Sequence, residues 1–216
     1  MTVRILMIAT TAAAMSVMFA HPSDAQVNER IKPFVADARL TWARFKEDAG
    51  IASAIGVTPD NLPTRGLGFV LGAHWYPLRG SQVALGIGGE FLRAKDTRTL
   101  DPATEDDEEG PTVETSLFSL APQVSLNFGK KDGWSYISGG IGSAIFTAEQ
   151  IDRPVGDGSR VSTINYGGGA RWFTNKHLAV SVDLRFYSVS AQPATLTRPA
   201  YPKSKMMVIS GGIALR

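Results

Sequence analysis

Cysteine is absent from this 216-residue chain, which excludes a disulfide framework, a thiolate metal site and a thiol nucleophile. Charged residues are also scarce, at 19% of the chain, where a soluble domain usually has roughly a quarter. Lys and Arg number 22 against 20 Asp and Glu, so the net charge of +2 gives no field for holding nucleic acid. Hydrophobic residues still make up 44% of the chain, which excludes wholesale disorder.

Long apolar runs are missing apart from one near the amino terminus. Residues 5–20 carry no charge and follow a basic start, and Ser23 and Ala25 occupy the small-residue positions that precede a cleavage site. The run is shorter than the roughly 20 apolar residues of a spanning helix, which disfavours a membrane anchor. We therefore predict a cleavable signal peptide over residues 1–25, export of the protein, and one domain over residues 26–216.

The helical spacing of apolar residues is absent beyond the signal peptide, and a period of two replaces it. Apolar side chains alternate with small or polar ones in eight segments, an even number. These segments lie at residues 34–42, 67–75, 83–91, 118–128, 137–145, 164–172, 178–186 and 207–215. The pattern predicts eight β-strands.

The connections between these segments alternate in length. Three are tight turns rich in Gly, Asn and Lys, at residues 77–81, 129–133 and 175–177. The other four are long, at residues 46–64, 95–112, 148–160 and 191–204. Alternating short and long connections are typical of an up-and-down meander with all its long loops at one end. The fold class predicted is all-β, an eight-stranded antiparallel up-and-down transmembrane β-barrel.

The composition of the second face indicates which side points outward. A water-soluble barrel needs an outer face dense in Lys and Glu, whereas the positions between the apolar residues are mostly Gly, Ala and Ser. Small side chains suit the narrow interior of eight strands, and mid-strand glycines relieve crowding in a strongly curved barrel. We therefore expect the apolar face to contact lipid, where a closed barrel is the one β-structure that can span. The alternative is a soluble lipocalin-like carrier.

A few charges fall on the predicted interior face. Taking ions out of water is costly unless each is paired, so we predict an internal network that plugs the barrel. A thin path for water or ions is the alternative, while an open solute pore needs about 16 strands. The predicted network comprises Asp37, Arg39, Glu90, Arg171, Asp183 and Arg185.

Aromatic residues cluster within a few positions of the tight turns. Outer membrane barrels carry aromatic girdles at the membrane interfaces, so we predict one at the short-turn end. Ordinary core aromatics at strand ends are the alternative. The predicted girdle comprises Phe34, Trp75, Tyr76, Phe128, Trp134, Tyr136, Trp172 and Phe173.

Motifs for catalysis or cofactor binding are weak. No glycine-rich stretch has phosphate-loop spacing before a helix, and His74 and His177 are both expected at the short-turn end, away from substrates of the outer leaflet. An acidic cluster in the second long loop could bind a divalent cation, although it lacks calcium-loop spacing and a solvated loop is the alternative. It comprises Asp101, Glu105, Asp106, Asp107, Glu108 and Glu109. We predict no enzyme activity, no cofactor and no dedicated metal site.

The segments GWSYISGGIG, INYGGGARWF and MMVISGGIALR resemble strands of the small eight-stranded outer membrane β-barrels of the OmpA/OmpX type. The resemblance implies a monomer in the outer membrane, contact with lipid and lipopolysaccharide, and insertion by the barrel-assembly machinery. It implies a non-catalytic barrel with a plugged polar lumen, acting in envelope integrity or surface interaction through four long extracellular loops. The alternative is an outer membrane enzyme acting on lipid A or peptides from the same scaffold.

Overall fold

The structure is a computed structural model that describes residues 31–102, 110–130, 133–153, 158–195 and 200–216. The predicted signal peptide lies outside these residues and stays a prediction. No helix within the described ranges has both the length and the apolar character to cross a membrane.

Eight antiparallel strands close into a barrel. Each strand pairs with the next along the chain, and the last pairs back onto the first. The all-β, eight-stranded up-and-down prediction is therefore confirmed. The strands are β1 (Phe34–Arg44), β2 (Arg65–Arg79), β3 (Val83–Thr99), β4 (Thr112–Lys130), β5 (Gly133–Gln150), β6 (Val161–Phe173), β7 (Leu178–Val189) and β8 (Ser204–Leu215).

The apolar face of every strand points outward, as the alternation predicts. Leu71, Val180 and Ile209 are 49%, 50% and 42% exposed, and the residues between such positions are buried in the lumen. Each outward apolar run has the length of roughly 9–11 residues that a tilted strand needs to cross a bilayer. The soluble-carrier alternative is wrong, because a water-soluble barrel would turn these side chains toward its axis.

Mid-strand glycines make room for aromatic rings inside the barrel. Gly169 on β6 lies opposite Tyr136 on β5, and a Cβ added there would lie 2.9 Å from the tyrosine ring. A Cβ added at Gly86 on β3 would lie 2.5 Å from the ring of Tyr76 on β2. A glycine opposite an aromatic side chain of the lumen is therefore required for packing in this narrow barrel.

The first long loop contains a short helix that the sequence pattern did not predict. Helix α1 (Ala49–Ala54) begins at Asp48, whose Oδ1 accepts hydrogen bonds from the backbone N–H groups of Gly50 and Ile51. Ile51 and Ala52 are buried against the barrel mouth. A helix this short has too few turns for a detectable period, and packing rather than propensity stabilises it.

The two ends of the barrel differ. The turns between β2 and β3, β4 and β5, and β6 and β7 lie at the short-turn end, and the four long connections lie at the opposite, long-loop end. Outer membrane barrels place short turns in the periplasm and long loops outside the cell. The long-loop end is therefore the extracellular end.

A charge introduced on the outer face tests the lipid-facing orientation. We expect Leu71→Arg, at the centre of the outward run of β2, to lower the free energy of unfolding by about 2–4 kcal/mol. The matched substitution Leu78→Arg lies beyond this run, near the short turn, where the cost falls to about 0–1 kcal/mol. Urea titration of protein folded in lipid vesicles measures both, and equal small losses would contradict the assignment.

Candidate functional site

The barrel interior is the feature that most constrains function, and its buried side chains are arranged in three layers. A layer of paired charges occupies the middle, an apolar cluster occupies the long-loop end, and an aromatic cluster occupies the short-turn end. We call these the ionic layer, the outer apolar cluster and the inner aromatic cluster.

The structure brings all six predicted lumen charges into the ionic layer. They come from strands β1, β3, β6 and β7, and none is more than 5% exposed. Three arginines face three carboxylates, so the layer carries no net charge when all are ionised. Neutrality and direct pairing are the conditions under which buried ions become tolerable.

Glu90 bridges two of the arginines. Its Oε2 lies 2.8 Å from Arg39 Nη2 and its Oε1 lies 3.2 Å from Arg185 Nε. The Tyr187 hydroxyl, fully buried on β7, donates a 2.6 Å hydrogen bond to the same Oε1. Both oxygens of the carboxylate are therefore engaged, and β3 is tied across the lumen to β1 and β7.

Asp183 bridges the same two arginines from the other side. Its Oδ2 lies 3.1 Å from Arg39 Nη1 and 3.3 Å from Arg185 Nη2. The Tyr136 hydroxyl donates a 2.7 Å hydrogen bond to this oxygen. Arg39, Glu90, Arg185 and Asp183 thus form a closed ring of alternating charge, in which every ion has two partners of opposite sign.

The remaining two charges form a separate pair. Arg171 binds Asp37 through two parallel hydrogen bonds, Nε to Oδ1 at 2.9 Å and Nη2 to Oδ2 at 2.6 Å. The guanidinium also lies 4.0 Å from the centre of the Tyr136 ring. A bidentate, desolvated Arg–carboxylate pair is a strong form of this interaction, and it ties β6 to β1 across the lumen.

Neutral side chains complete the network, and the sequence analysis did not single them out. Arg185 donates to Asn165 Oδ1 at 3.1 Å and to Ser138 Oγ at 2.6 Å. Gln123 Nε2 donates to the same Asn165 oxygen at 2.9 Å, and Asn127 Oδ1 lies 3.4 Å from Arg171 Nη1. All of these residues occupy interior positions of their strands. The alternation alone could therefore have predicted that they face the lumen.

The predicted aromatic girdle is wrong for four of its eight residues. Tyr76, Trp134 and Tyr136 are at most 3% exposed inside the lumen, and Phe173 is partly buried against them. Strand alternation decides the face of a residue, whereas closeness to a turn does not. The other four lie on the outer surface near the short-turn end: Phe34, Trp75, Phe128 and Trp172.

The inward aromatics pack against one another at the short-turn end of the lumen. The Trp134 ring meets Tyr76 edge-on at 6.1 Å and lies 4.8 Å from the ring of Phe173. Small residues, Ala84, Ala179 and Ala214, lie around these rings. The inner aromatic cluster comprises Ile31, Val35, Tyr76, Ala84, Trp134, Ala179 and Ala214, with Phe173 packed against it.

The outer apolar cluster lies at the long-loop end. Leu92, Leu117 and Phe146 point inward from the barrel wall and meet Ile51 from helix α1 and Tyr201 from the fourth long loop. The lumen predicted as polar has its six charged groups in the middle, whereas apolar side chains gather in the clusters at the two ends.

Comparison with known proteins supports the same architecture. No family model and no curated protein matches the chain. The crystal structure of Neisserial surface protein A superposes with a TM-score of 0.55 at 12% identity, covering 87% of this chain and 98% of that one. Ail, the attachment invasion locus protein of Yersinia pestis, solved with the heparin analogue sucrose octasulfate, superposes with a TM-score of 0.50 at 13% identity, covering 85% and 99%.

The chain has the fold of the small outer membrane β-barrels. The resemblance inferred from its strand segments is confirmed at the level of fold. Identities this low establish architecture alone, so the chemistry must come from the residues of this chain.

The acidic cluster cannot be placed. Residues 105–109 lie outside the described residues, and Asp101 is exposed beside them. Among the residues that the structure describes, no group of three His, Asp or Glu side chains could hold a metal ion. His74 is buried in the lumen, its ring stacked on Tyr76 at 6.4 Å, and His177 is exposed in a short turn.

Removing one partner of the isolated ion pair tests the ionic layer. We expect Arg171→Met to lower the free energy of unfolding by about 3–5 kcal/mol, because it leaves the Asp37 carboxylate buried without its cation. The double variant Asp37→Leu/Arg171→Met removes both charges and should recover most of this loss. Urea titration in lipid vesicles compares the two, and a double variant no more stable than the single one would contradict the pairing.

Proposed function

We propose that this protein is a non-catalytic, closed outer membrane scaffold that acts in envelope integrity or surface interaction through its extracellular loops. The observation that supports the proposal is that buried side chains occupy the lumen at three successive levels. A barrel of this kind presents two working surfaces, its outer wall and its loops.

The ionic layer alone would resist conduction. A passing ion would have to displace one member of the alternating ring, in which Arg39 and Glu90 lie 2.8 Å apart and are both nearly inaccessible to solvent. Breaking one partner from a buried pair costs several kcal/mol, about 3–5 in measured cases. The apolar clusters at either end add a barrier to hydrated ions.

The first and fourth long loops are anchored to the barrel at its mouth. Tyr201 in the fourth loop donates a 2.6 Å hydrogen bond to the backbone oxygen of Ala148, and Gln192 Nε2 donates to that of Phe146 at 3.0 Å. Gln150 Nε2, at the end of β5, donates a 2.7 Å hydrogen bond to the backbone oxygen of Ile55 in the first loop. Anchoring of this kind gives the extracellular end a defined surface, which supports a role in contact with other molecules.

Conductance measurement tests the closed lumen. We expect the full chain in planar bilayers to give a conductance equal to that of protein-free membranes, because buried ion pairs and two apolar clusters lie in succession along the lumen. A large porin reconstituted at the same protein-to-lipid ratio is the positive control, and the gel shift on boiling checks that the barrel has folded. Discrete channel openings by the folded protein would overturn the proposal.

Loss of the gene in its host tests the role in the envelope. We expect the deletion strain to show higher uptake of a hydrophobic dye or weaker adhesion to surfaces. The full chain should restore the lost property, and so should Arg171→Met/Asp37→Leu, which changes the interior alone. A deletion strain that matches its parent in both measurements would contradict the proposed role.

A further inference from the structure

A ring of outward positions marks where each strand leaves the apolar belt at the extracellular end. On four strands the first outward residue beyond the apolar run is basic, and on the other four it is a serine or threonine. The basic residues are Lys205 on β8, Arg44 on β1, Arg65 on β2 and Arg93 on β3; the hydroxyl residues are Ser116, Thr147, Ser162 and Ser188 on β4 to β7. Because β8, β1, β2 and β3 are neighbours, the four basic residues form one continuous band, which we call the basic arc.

The four side chains of the basic arc form no ion pairs within the described residues, and one carboxylate, that of Asp96, accepts a 2.8 Å hydrogen bond from the backbone N–H of Arg65. All four residues are exposed. Arg44 and Arg65 lie directly opposite each other in the register of β1 and β2, both pointing outward. Like charges in directly opposed positions destabilise a sheet. An external anion would remove this repulsion.

The opposite half of the barrel has a different charge. Glu114 on β4 and Glu149 on β5 point outward one step beyond Ser116 and Thr147. Lys95 lies at the boundary of the two halves, 2.6 Å from Glu114. An anion in the head-group region would therefore meet a continuous band of basic side chains on one half of the barrel and no such band on the other.

We propose that the basic arc is a binding site for the phosphate groups of lipid A, the glycolipid of the outer leaflet. The arc lies at the end of the lipid-facing runs, where acyl chains give way to head groups. Arginine binds a phosphate through two parallel N–H donors, and three of the four residues are arginines. The glycolipid binds to one half of the barrel and leaves the hydroxyl half and the loops free for other contacts.

The proposal rests on the proposed function only for the placement of the barrel in the outer membrane. Binding of lipid A at the basic arc would also orient the barrel in the membrane. Because the glycolipid attaches to one side, it determines which part of the outer wall and which loops face neighbouring molecules. The interior takes no part, since the ionic layer is neutral and shielded from the head groups by the outer apolar cluster.

Binding of lipid A to the folded full chain in detergent micelles, followed by native mass spectrometry, tests the site. The arc variant carries Arg44→Ser, Arg65→Ser, Arg93→Ser and Lys205→Ser. The control variant removes the same number of charges from exposed positions outside the arc, through Lys32→Ser, Arg153→Ser, Arg160→Ser and Lys176→Ser. The gel shift on boiling verifies that every variant is folded, and conductance is recorded on each.

We expect the wild type to bind diphosphoryl lipid A at least about tenfold more tightly than enzymatically dephosphorylated lipid A. The arc variant should lose this preference, the control variant should keep it to within about twofold, and added salt should weaken it. Conductance should stay at the baseline throughout.

Three results would overturn the site. The first is an arc variant that binds as tightly as the wild type, and the second is a control variant that loses as much, which would indicate bulk charge alone. The third is binding of a sulfated polysaccharide such as heparin, used as a probe, without binding of diphosphoryl lipid A. None of these three results would contradict the proposal that the lumen is closed. Channel openings by the wild type would contradict that proposal, and the lipid A binding data would still test the basic arc.

Discussion

The hydrocarbon interior of the bilayer offers neither a hydrogen-bond partner nor a counter-ion, and the whole design of this chain follows from that property. Backbone groups must pair with one another, so the eight strands close and leave no edge within the membrane. Outward side chains must be apolar, so the polar residues of each strand can only point inward. Strand pairing and an apolar outer face together produce a sequence in which apolar residues recur with a period of two. This is why the alternation predicts the barrel directly.

The interior of eight strands is narrow, and ions buried in it are tolerable only when they are paired. This explains why three arginines meet three carboxylates and why Glu90 and Asp183 each bind two arginines. Space is the second constraint. The Tyr136 ring fits because β6 is bare backbone at Gly169. Charge pairing and glycine placement are therefore two parts of one packing solution.

Strand alternation was the reliable part of the sequence prediction, and the errors arose where other signals replaced it. Asp37 and Arg171 are 134 positions apart in the chain, yet their shared interior parity placed both in the lumen. Trp134 and Tyr136 also have interior parity, but their closeness to a turn suggested a girdle. The pairing of each carboxylate with its arginine depends on strand register and on closure of the barrel. Neither can be predicted from the local sequence. Helix α1 was not predicted from the sequence, because it is stabilised by packing of its apolar residues against the barrel mouth.

The neutrality of the interior has a consequence for the outside. Because the ionic layer has no net charge and lies beneath an apolar cluster, it contributes little field at the extracellular rim. The potential there is set by the rim residues themselves, which are basic on one half of the barrel and hydroxyl or acidic on the other. Residues that stabilise the fold and residues that can select a ligand are thus separated in space. Evolution can alter the rim and the loops without disturbing the pairing inside, since no rim residue shares a partner with the ionic layer among the residues described.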